Sequence, residues 1–132
     1  MPSALTFSNP DSVHQPLGLY SHVAVVPSGT RLLFLSGQVG VRPDGSVGKT
    51  IAEQADQTFA NTIALLSAHG LKASDIIKLT TFMVTGQDGE AVRDARRKYL
   101  GSHRPASTAV YVSQLVDPRW YVEVEAVAAM SA

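Results

Sequence analysis

The sequence contains no cysteine and no long apolar run, and its charges balance. Without cysteine, disulfide bonds, thiolate catalysis and cysteine-ligated metal sites are excluded. The longest apolar stretches, such as LLFL at 32–35, are far shorter than the ~20 residues of a membrane-spanning helix. The 11 basic and 11 acidic residues give a net charge of zero, whereas nucleic-acid-binding proteins usually carry a basic excess. We therefore expect neither a membrane nor a nucleic-acid partner.

The composition is that of a globular protein, with 45% hydrophobic and 17% charged residues, and it predicts a single domain over residues 1–132. The opening MPSALTFSNPDS lacks the basic and apolar regions of a secretory signal, so a cytoplasmic location is expected. Histidine residues are scattered without the spacing of zinc ligands, which predicts no metal site.

Apolar periodicity and turn residues predict eight elements in the order βββ-α-β-α-ββ. Strands are expected at 5–7, 22–26, 32–35, 76–84, 108–115 and 120–128. The turn residues at 27–30 predict a hairpin between the second and third strands, and RPDG at 42–45 predicts a further turn. The expected fold is α+β, with a single mixed sheet of about six strands and two helices packed on one face.

The first helix has the clearest pattern in the chain. Thr50 and Glu53 form a capping box, in which Glu53 is expected to reach back to the amide of Thr50. Gly70 is a plausible left-handed residue just after the helix. Apolar residues recur at helical spacing at Ala55, Phe59, Ile63 and Leu66. A second helix is expected at about 90–100, with the basic run at 93–98 as its solvated face.

Two helices can cover only one face of such a sheet. Yet neighbouring residues in the strands at 22–26 and 32–35 are apolar on both faces, whereas a solvated face would alternate with polar residues. The second face is therefore expected to meet another subunit. The alternative is that the long N-terminal loop covers it.

Glu123 and Glu125 lie two residues apart in the last strand, so their side chains share one face. A carboxylate in an otherwise apolar sheet can hold a water molecule and transfer protons. The alternatives are an exposed strand end or a pairing with a nearby arginine.

Four segments in order resemble motifs of the RidA/YjgF family of small enamine/imine deaminases. LGLYSHVAVV resembles its GPYSQAV segment, and FLSGQVGVRPDGSV its SGQIP segment. HGLKASDIIKLTTFMV is similar to its AGL…DIVK segment, and RPASTAVYVSQL followed by VEVEAVA to its PARS and IEIEAIA segments. The resemblance runs from about residue 7 to residue 128, nearly the full chain.

The resemblance implies a homotrimer of chorismate-mutase-like subunits, with small-molecule ligands bound in clefts between subunits. It implies hydrolysis of reactive 2-imino or enamine acids to 2-keto acids and ammonia, without a cofactor. The implied catalytic residues are Glu125, which holds water, and Tyr20. The implied substrate-binding positions are Ser36, Gly37, Ser107, Ala109 and Arg93, of which Arg93 stands at a common asparagine position.

Ser107 departs from the family pattern, because it stands where the family arginine would bind the substrate carboxylate. A guanidinium forms two parallel charge-assisted hydrogen bonds, and losing such a partner costs roughly 2–5 kcal/mol. We therefore expect little activity on the simplest imino acids, unless Arg93 or Arg119 supplies the charge.

Two hypotheses remain: a divergent enzyme acting on a small imine, enamine or related metabolite, or a non-catalytic trimer that binds a metabolite or a partner protein. RNA cleavage is a weaker third, because the chain has no net positive charge and no paired acid–base histidines.

Overall fold

The computed structural model describes residues 5–130. The eight predicted elements are present in the predicted order, and the α+β class is confirmed. They are β1 (Thr6–Ser8), β2 (Val23–Val25), β3 (Arg31–Val39), α1 (Ile51–Ser67), β4 (Ile76–Val84), α2 (Gly89–Leu100), β5 (Ala106–Val112) and β6 (Val122–Met130). A single 3₁₀ turn, Ala73–Asp75, leads into β4.

The six strands divide into two sheets. A four-stranded mixed sheet has the order β3-β6-β4-β5, and β1 and β2 form a separate two-stranded sheet. Only β4 and β5 are parallel within the four-stranded sheet. The number of strands and the mixed pairing are confirmed, and an isolated parallel bridge between Ser21, just before β2, and Ala106 of β5 joins the two sheets at that edge.

The predicted hairpin between β2 and β3 is wrong. Its turn forms, with Gly29 at φ 82° and the Thr30 amide donating to the Pro27 carbonyl at 3.4 Å, but the flanking strands pair elsewhere. β2 pairs with β1, and β3 pairs with β6. β6 has nine residues and β2 has three, so β6 offers β3 a much longer ladder of backbone hydrogen bonds.

The helix ends follow the sequence closely. The Thr50 hydroxyl accepts from the Glu53 amide at 3.1 Å, as expected of the N-cap. The Glu53 carboxylate, however, accepts from the Lys49 amide at 2.9 Å, one residue before the amide that the capping box predicted. Gly70 takes the predicted left-handed conformation at φ 74°, and α2 begins after Asp88, which caps the Glu90 amide.

The hydrophobic core lies between the two helices and one face of the four-stranded sheet. Its fully buried side chains include Phe59, Leu66, Leu79, Val122 and Val124. On the opposite face, which we call the open face, Leu32 is 44% exposed, Phe34 76% and Val110 39%. The prediction that the chain leaves this face uncovered is confirmed.

The alternative cover for the open face is wrong, because the N-terminal loop lies elsewhere. Its residues 17–20 line a cavity together with residues of α2 and β5, on the helix side of the sheet. Within residues 5–130, no helix has both the length and the apolar character needed to cross a bilayer.

Candidate active site

A cavity of about 300 Å³ lies at the β5 edge of the sheet, beneath α2 and the N-terminal loop. This volume falls at the small end of the range for ligand sites. Its lining includes four residues that the sequence analysis assigned to the site, Tyr20, Arg93, Ser107 and Ala109. It also includes Arg96, which the sequence analysis placed on a solvated helix face.

The parallel pairing of β4 with β5 sets the floor of the cavity. Ser107 lies beside Leu79, and Ala109 lies beside Thr81. Because paired residues point to the same face of a sheet, Ser107 and Ala109 share the helix side with the buried Leu79. The chain after Tyr20 is held along the same edge, since the Ser21 amide donates to the Pro105 carbonyl at 3.2 Å.

Arg96 is the residue that the sequence analysis missed. Its Nη2 donates to the Ser107 hydroxyl at 2.9 Å and to the Leu19 carbonyl, so it contacts both β5 and the N-terminal loop. Arg96 follows Val92 by one helical turn, and Val92 is buried. The interpretation of the whole basic run as a solvated face is therefore wrong at Arg96. The four-residue spacing between Val92 and Arg96 was the feature of the sequence that could have indicated an inward-facing side chain.

Arg96 carries its charge in a partly buried setting. Burial lowers the pKa of the guanidinium to about 10, and the nearby positive charge of Arg104 adds to the effect. Its Nε is buried without a hydrogen-bond partner, and residues 5–130 place no carboxylate in an ion pair with it. Arg96 remains cationic at neutral pH, because its pKa stays well above 7.

The two arginines that the sequence analysis considered are both held in exposed ion pairs. Arg93 lines the cavity, but its Nη1 forms an ion pair with Glu90 at 2.7 Å. Arg119 forms an ion pair with Asp117 at 2.6 Å in the turn before β6 and does not belong to the lining of the cavity. Of the three, Arg96 is the one next to Ser107.

Ser107 uses its hydroxyl within the protein. Its oxygen accepts from Arg96, and its hydrogen is donated to the Pro105 carbonyl at 3.1 Å. A hydroxyl has one hydrogen to donate, so in this arrangement Ser107 offers none to an anion. The side chain instead helps to hold the guanidinium in place.

The remaining predicted site residues, Ser36, Gly37 and Glu125, do not line this cavity. Glu125 pairs with Thr80, whereas Ser107 pairs with Leu79, the adjacent residue of β4. Successive strand residues point to opposite faces, so Glu125 projects from the open face, where it is exposed. Within one chain, the predicted site residues thus form two groups on opposite sides of the sheet.

Glu123 shares the open face with Glu125 and lies against Gly37. A Cβ atom added at Gly37 would collide with Oε2 of Glu123, so glycine leaves the space that this carboxylate occupies. The Glu123 side chain lies near a β-bulge between Leu35 and Gln38, where β3 shifts register against β6. The Ser36-Gly37 pair therefore neighbours a carboxylate, although it is Glu123 rather than Glu125 that touches Gly37.

Gln54 orients the loop that leads into β6, and nothing in the sequence singled it out. Its buried amide donates to the Gly48 carbonyl at 2.8 Å and the Arg119 carbonyl at 2.9 Å, and it accepts from the Tyr121 amide at 2.7 Å. A buried side chain with three such bonds fixes its surroundings firmly. The start of β6, and with it Glu123, is positioned by this contact.

Metal ligands are not grouped in the described part of the chain: across residues 5–130, no three side chains of His, Cys, Asp or Glu come together.

Comparisons with known proteins agree with the motifs. Residues 11–130 match the family described as Endoribonuclease L-PSP. A Dermatophagoides farinae protein named 2-iminobutanoate/2-iminopropanoate deaminase is 35% identical over 103 residues, which cover 76% of this chain and 78% of that protein.

Two solved structures have the same fold as this chain. A Yersinia pestis protein of unknown function, YyfB of the Rid family, superposes with a TM-score of 0.85 at 26% identity, covering 96% of this chain and 98% of its own. TdcF of E. coli with bound serine gives a TM-score of 0.71 at 27% identity, covering 96% of this chain and 99% of its own. The fold, the motif order and these matches together show that the chain belongs to the RidA/YjgF family.

Proposed function

We propose that this protein hydrolyses the C=N bond of a small imine, or of the corresponding enamine, that carries a carboxylate. The observation that carries this proposal is the Arg96 guanidinium beside Ser107 in the cavity, charged and without a carboxylate partner in residues 5–130. It supplies the cation that the sequence lacks at position 107. The deaminase name of the D. farinae relative supports the reaction class.

The chemistry needs water, a proton carrier and a carboxylate anchor. Arg96 binds the substrate carboxylate, since charge-assisted bonds from arginine are among the strongest available to it. Glu125 accepts a proton from water as the water oxygen bonds to the imine carbon, and the imine nitrogen gains a proton. The C–N bond of the resulting carbinolamine then breaks, giving the C=O group and ammonia. Tyr20, at the cavity wall, orients the substrate.

This arrangement requires two copies of the chain, because Glu125 and Arg96 belong to opposite sides of one sheet. We propose a homotrimer in the cytoplasm, in which the cavity of one subunit faces Glu125, Ser36 and Gly37 of its neighbour. The exposed apolar side chains of the open face support it, because such a patch usually marks an interface. Closed rotational symmetry then produces three equivalent clefts.

The test is ammonia release from 2-imino acids generated in situ by an amino-acid oxidase, from alanine and from leucine. We expect the protein to accelerate release over the buffer rate, and Glu125→Gln to reduce kcat by about 10²–10⁴-fold. Glu53→Gln is the matched control, because Glu53 caps α1, does not line the cavity, and can be replaced by glutamine in a capping box. A wild-type rate equal to buffer with both substrates would refute the proposal.

A non-catalytic metabolite-binding trimer is the second candidate. The same cavity and cation favour it, because they bind a carboxylate whether or not a reaction follows. Tight binding of a carboxylic acid without any turnover of the corresponding imine would distinguish it from the enzyme.

A further inference from the structure

We infer that the cavity selects a monocarboxylate with an apolar side chain larger than methyl, with Arg96 as the binding cation and Ser107 as the residue that positions it. This inference rests on the proposed function, since it names the substrate class of the same site.

The number of free charges limits the ligand to one carboxylate. Within residues 5–130, the cavity lining contains two cationic side chains, Arg93 and Arg96, and no acidic one. Arg93 is more than half exposed and forms an ion pair with Glu90, so Arg96 is the lining cation without an acidic partner in the described residues. A second carboxylate would enter the cavity without a partner, and burying an unpaired charge is costly.

The rest of the lining favours an apolar side chain. Leu17, Phe59, Met83 and Val92 line the same cavity as Arg96. Phe59 and Val92 also belong to the buried core, so this part of the wall is firmly packed. A cavity of about 300 Å³ has room for more than the methyl group of the simplest imino acids. Each additional buried CH₂ group raises affinity about fourfold, and a branched aliphatic side chain therefore gains affinity.

Arg96 has a structural role as well, since Nη2 holds the Leu19 carbonyl of the loop. That role does not use the whole guanidinium. Within residues 5–130, Arg96 donates two hydrogen bonds, and both come from Nη2. These bonds use the two hydrogens of Nη2. The two hydrogens of Nη1 are therefore left for a ligand. Ser107 fixes the plane of the group by accepting one of these bonds. A carboxylate bound there would also offset the desolvation of a partly buried charge.

The test is calorimetric binding of three compounds of similar length: 4-methyl-2-oxopentanoate, its uncharged amide, and the dicarboxylate 2-oxoglutarate. We expect wild type to bind the first at least about tenfold more tightly than either of the others. Arg96→Gln should abolish the preference for acid over amide while still binding the amide. Arg97→Gln, the adjacent exposed arginine of α2, is the matched control and should keep the preference.

A second pair of variants separates charge from folding. Arg96→Gln combined with Ser107→Arg returns a guanidinium to the cavity from β5, and we expect it to recover the acid preference. Arg96→Lys keeps the charge and should retain part of that preference even where the double variant does not fold. The inference is overturned by failure to bind the acid, by equal or tighter binding of 2-oxoglutarate, or by an Arg96→Gln protein that still prefers acid over amide.

These outcomes are distinct from those of the proposed function. Arg96-dependent binding of the apolar acid without imine turnover would refute the enzyme and leave the specificity intact. Turnover that Arg96→Gln and Arg97→Gln reduce equally would support the enzyme and refute the role of Arg96.

Discussion

The two faces of the four-stranded sheet are built from the same strands but have different surroundings. On the helix face, Leu79 and Val124 are fully buried beneath α1 and α2, and the chain forms its own cavity at the β5 edge. On the open face, Phe34 is 76% exposed although it lies in the middle of β3. One face is thus covered within a single chain, whereas the other leaves large apolar side chains exposed.

The faces also differ in charge. The cavity on the helix side contains the cation Arg96, and the open face contains the carboxylates Glu123 and Glu125. A hydrolysis of the proposed kind needs both, a cation for the substrate carboxylate and a carboxylate for water. On the proposed mechanism neither face alone is sufficient, so a variant that prevents assembly should also abolish catalysis.

The largest effect is expected from a charge on the open face, at Phe34 of the edge strand β3. Phe34→Asp should convert the proposed trimer to monomers, because it would place an unpaired carboxylate in the proposed apolar interface. Light scattering at micromolar concentration measures this, with wild type expected near three times the 14.0 kDa subunit mass.

The matched control is Val116→Asp, in the loop after β5, where the side chain is 90% exposed. It should remain trimeric. A monomeric wild-type protein would contradict the interpretation of the open face.

The second prediction compares how much two phenylalanines on opposite faces contribute to the free energy of unfolding. Phe59 is 1% exposed in the core, so Phe59→Ala should cost about 3–5 kcal/mol in the free energy of unfolding. Phe34→Ala removes a side chain that its own subunit leaves exposed, so it should change the unfolding free energy of the isolated subunit by less than about 0.5 kcal/mol.

Urea denaturation of Phe59→Ala in the monomeric Phe34→Asp background gives the first value. A comparison of wild type with Phe34→Ala, at protein concentrations low enough for the subunits to dissociate, gives the second. Similar costs for the two alanine variants would show that the faces do not differ in packing.

A smaller effect is expected at Gly37. Gly37→Ala should displace the Glu123 carboxylate, which is the flexible end of a side chain and can move at little cost. We expect the unfolding free energy to change by less than about 1 kcal/mol and kcat to fall more than KM changes, because a carboxylate beside Glu125 shifts. Thermal melting together with steady-state kinetics checks this, and unchanged kinetics would show that the Ser36-Gly37 segment is not part of the site.

The smallest effect is expected from the substitution of Arg119 in the turn before β6. Arg119 lowers the pKa of Asp117 to about 2, mainly through a side-chain hydrogen bond. A lowered carboxyl pKa stabilises the folded state above the unfolded pKa of about 4, and this contribution is lost as the pH falls through 2. Arg119→Gln should therefore be slightly less stable than wild type at pH 7, and the difference should be much smaller at pH 2. Thermal melting at both pH values measures the difference, and a gap that widens at low pH would contradict it.

The elements could be predicted from the sequence because their determinants are local. The spacing of Ala55, Phe59 and Leu66 and the cap at Thr50 fixed α1 to within a few residues. The pairing of β3 could not be predicted in the same way. Its partner β6 lies about ninety residues away along the chain, and the turn at 27–30 favoured the nearer but shorter β2.

The site was only partly accessible from the sequence. Tyr20, Ser107 and Ala109 could be assigned because they match motif positions, and the structure places them around one cavity. Arg96 was missed because a basic residue on an amphipathic helix is usually solvated, and only the packing of the N-terminal loop over α2 makes it partly buried. Gln54 was missed because its three partners are backbone groups, which no side-chain pattern reveals.

The most direct test of the shared site is complementation between two inactive variants. Arg96→Gln disables the cavity and Glu125→Gln disables the open face, so each homotrimer should be inactive on 2-imino-4-methylpentanoate. When the two are unfolded, mixed in equal amounts and refolded, random assembly places an intact cavity against an intact open face in about one cleft in four. The account predicts recovery of about a quarter of wild-type activity in the mixed trimers. Native mass spectrometry of tagged subunits would show whether mixed trimers form. Mixed trimers without activity would contradict the account.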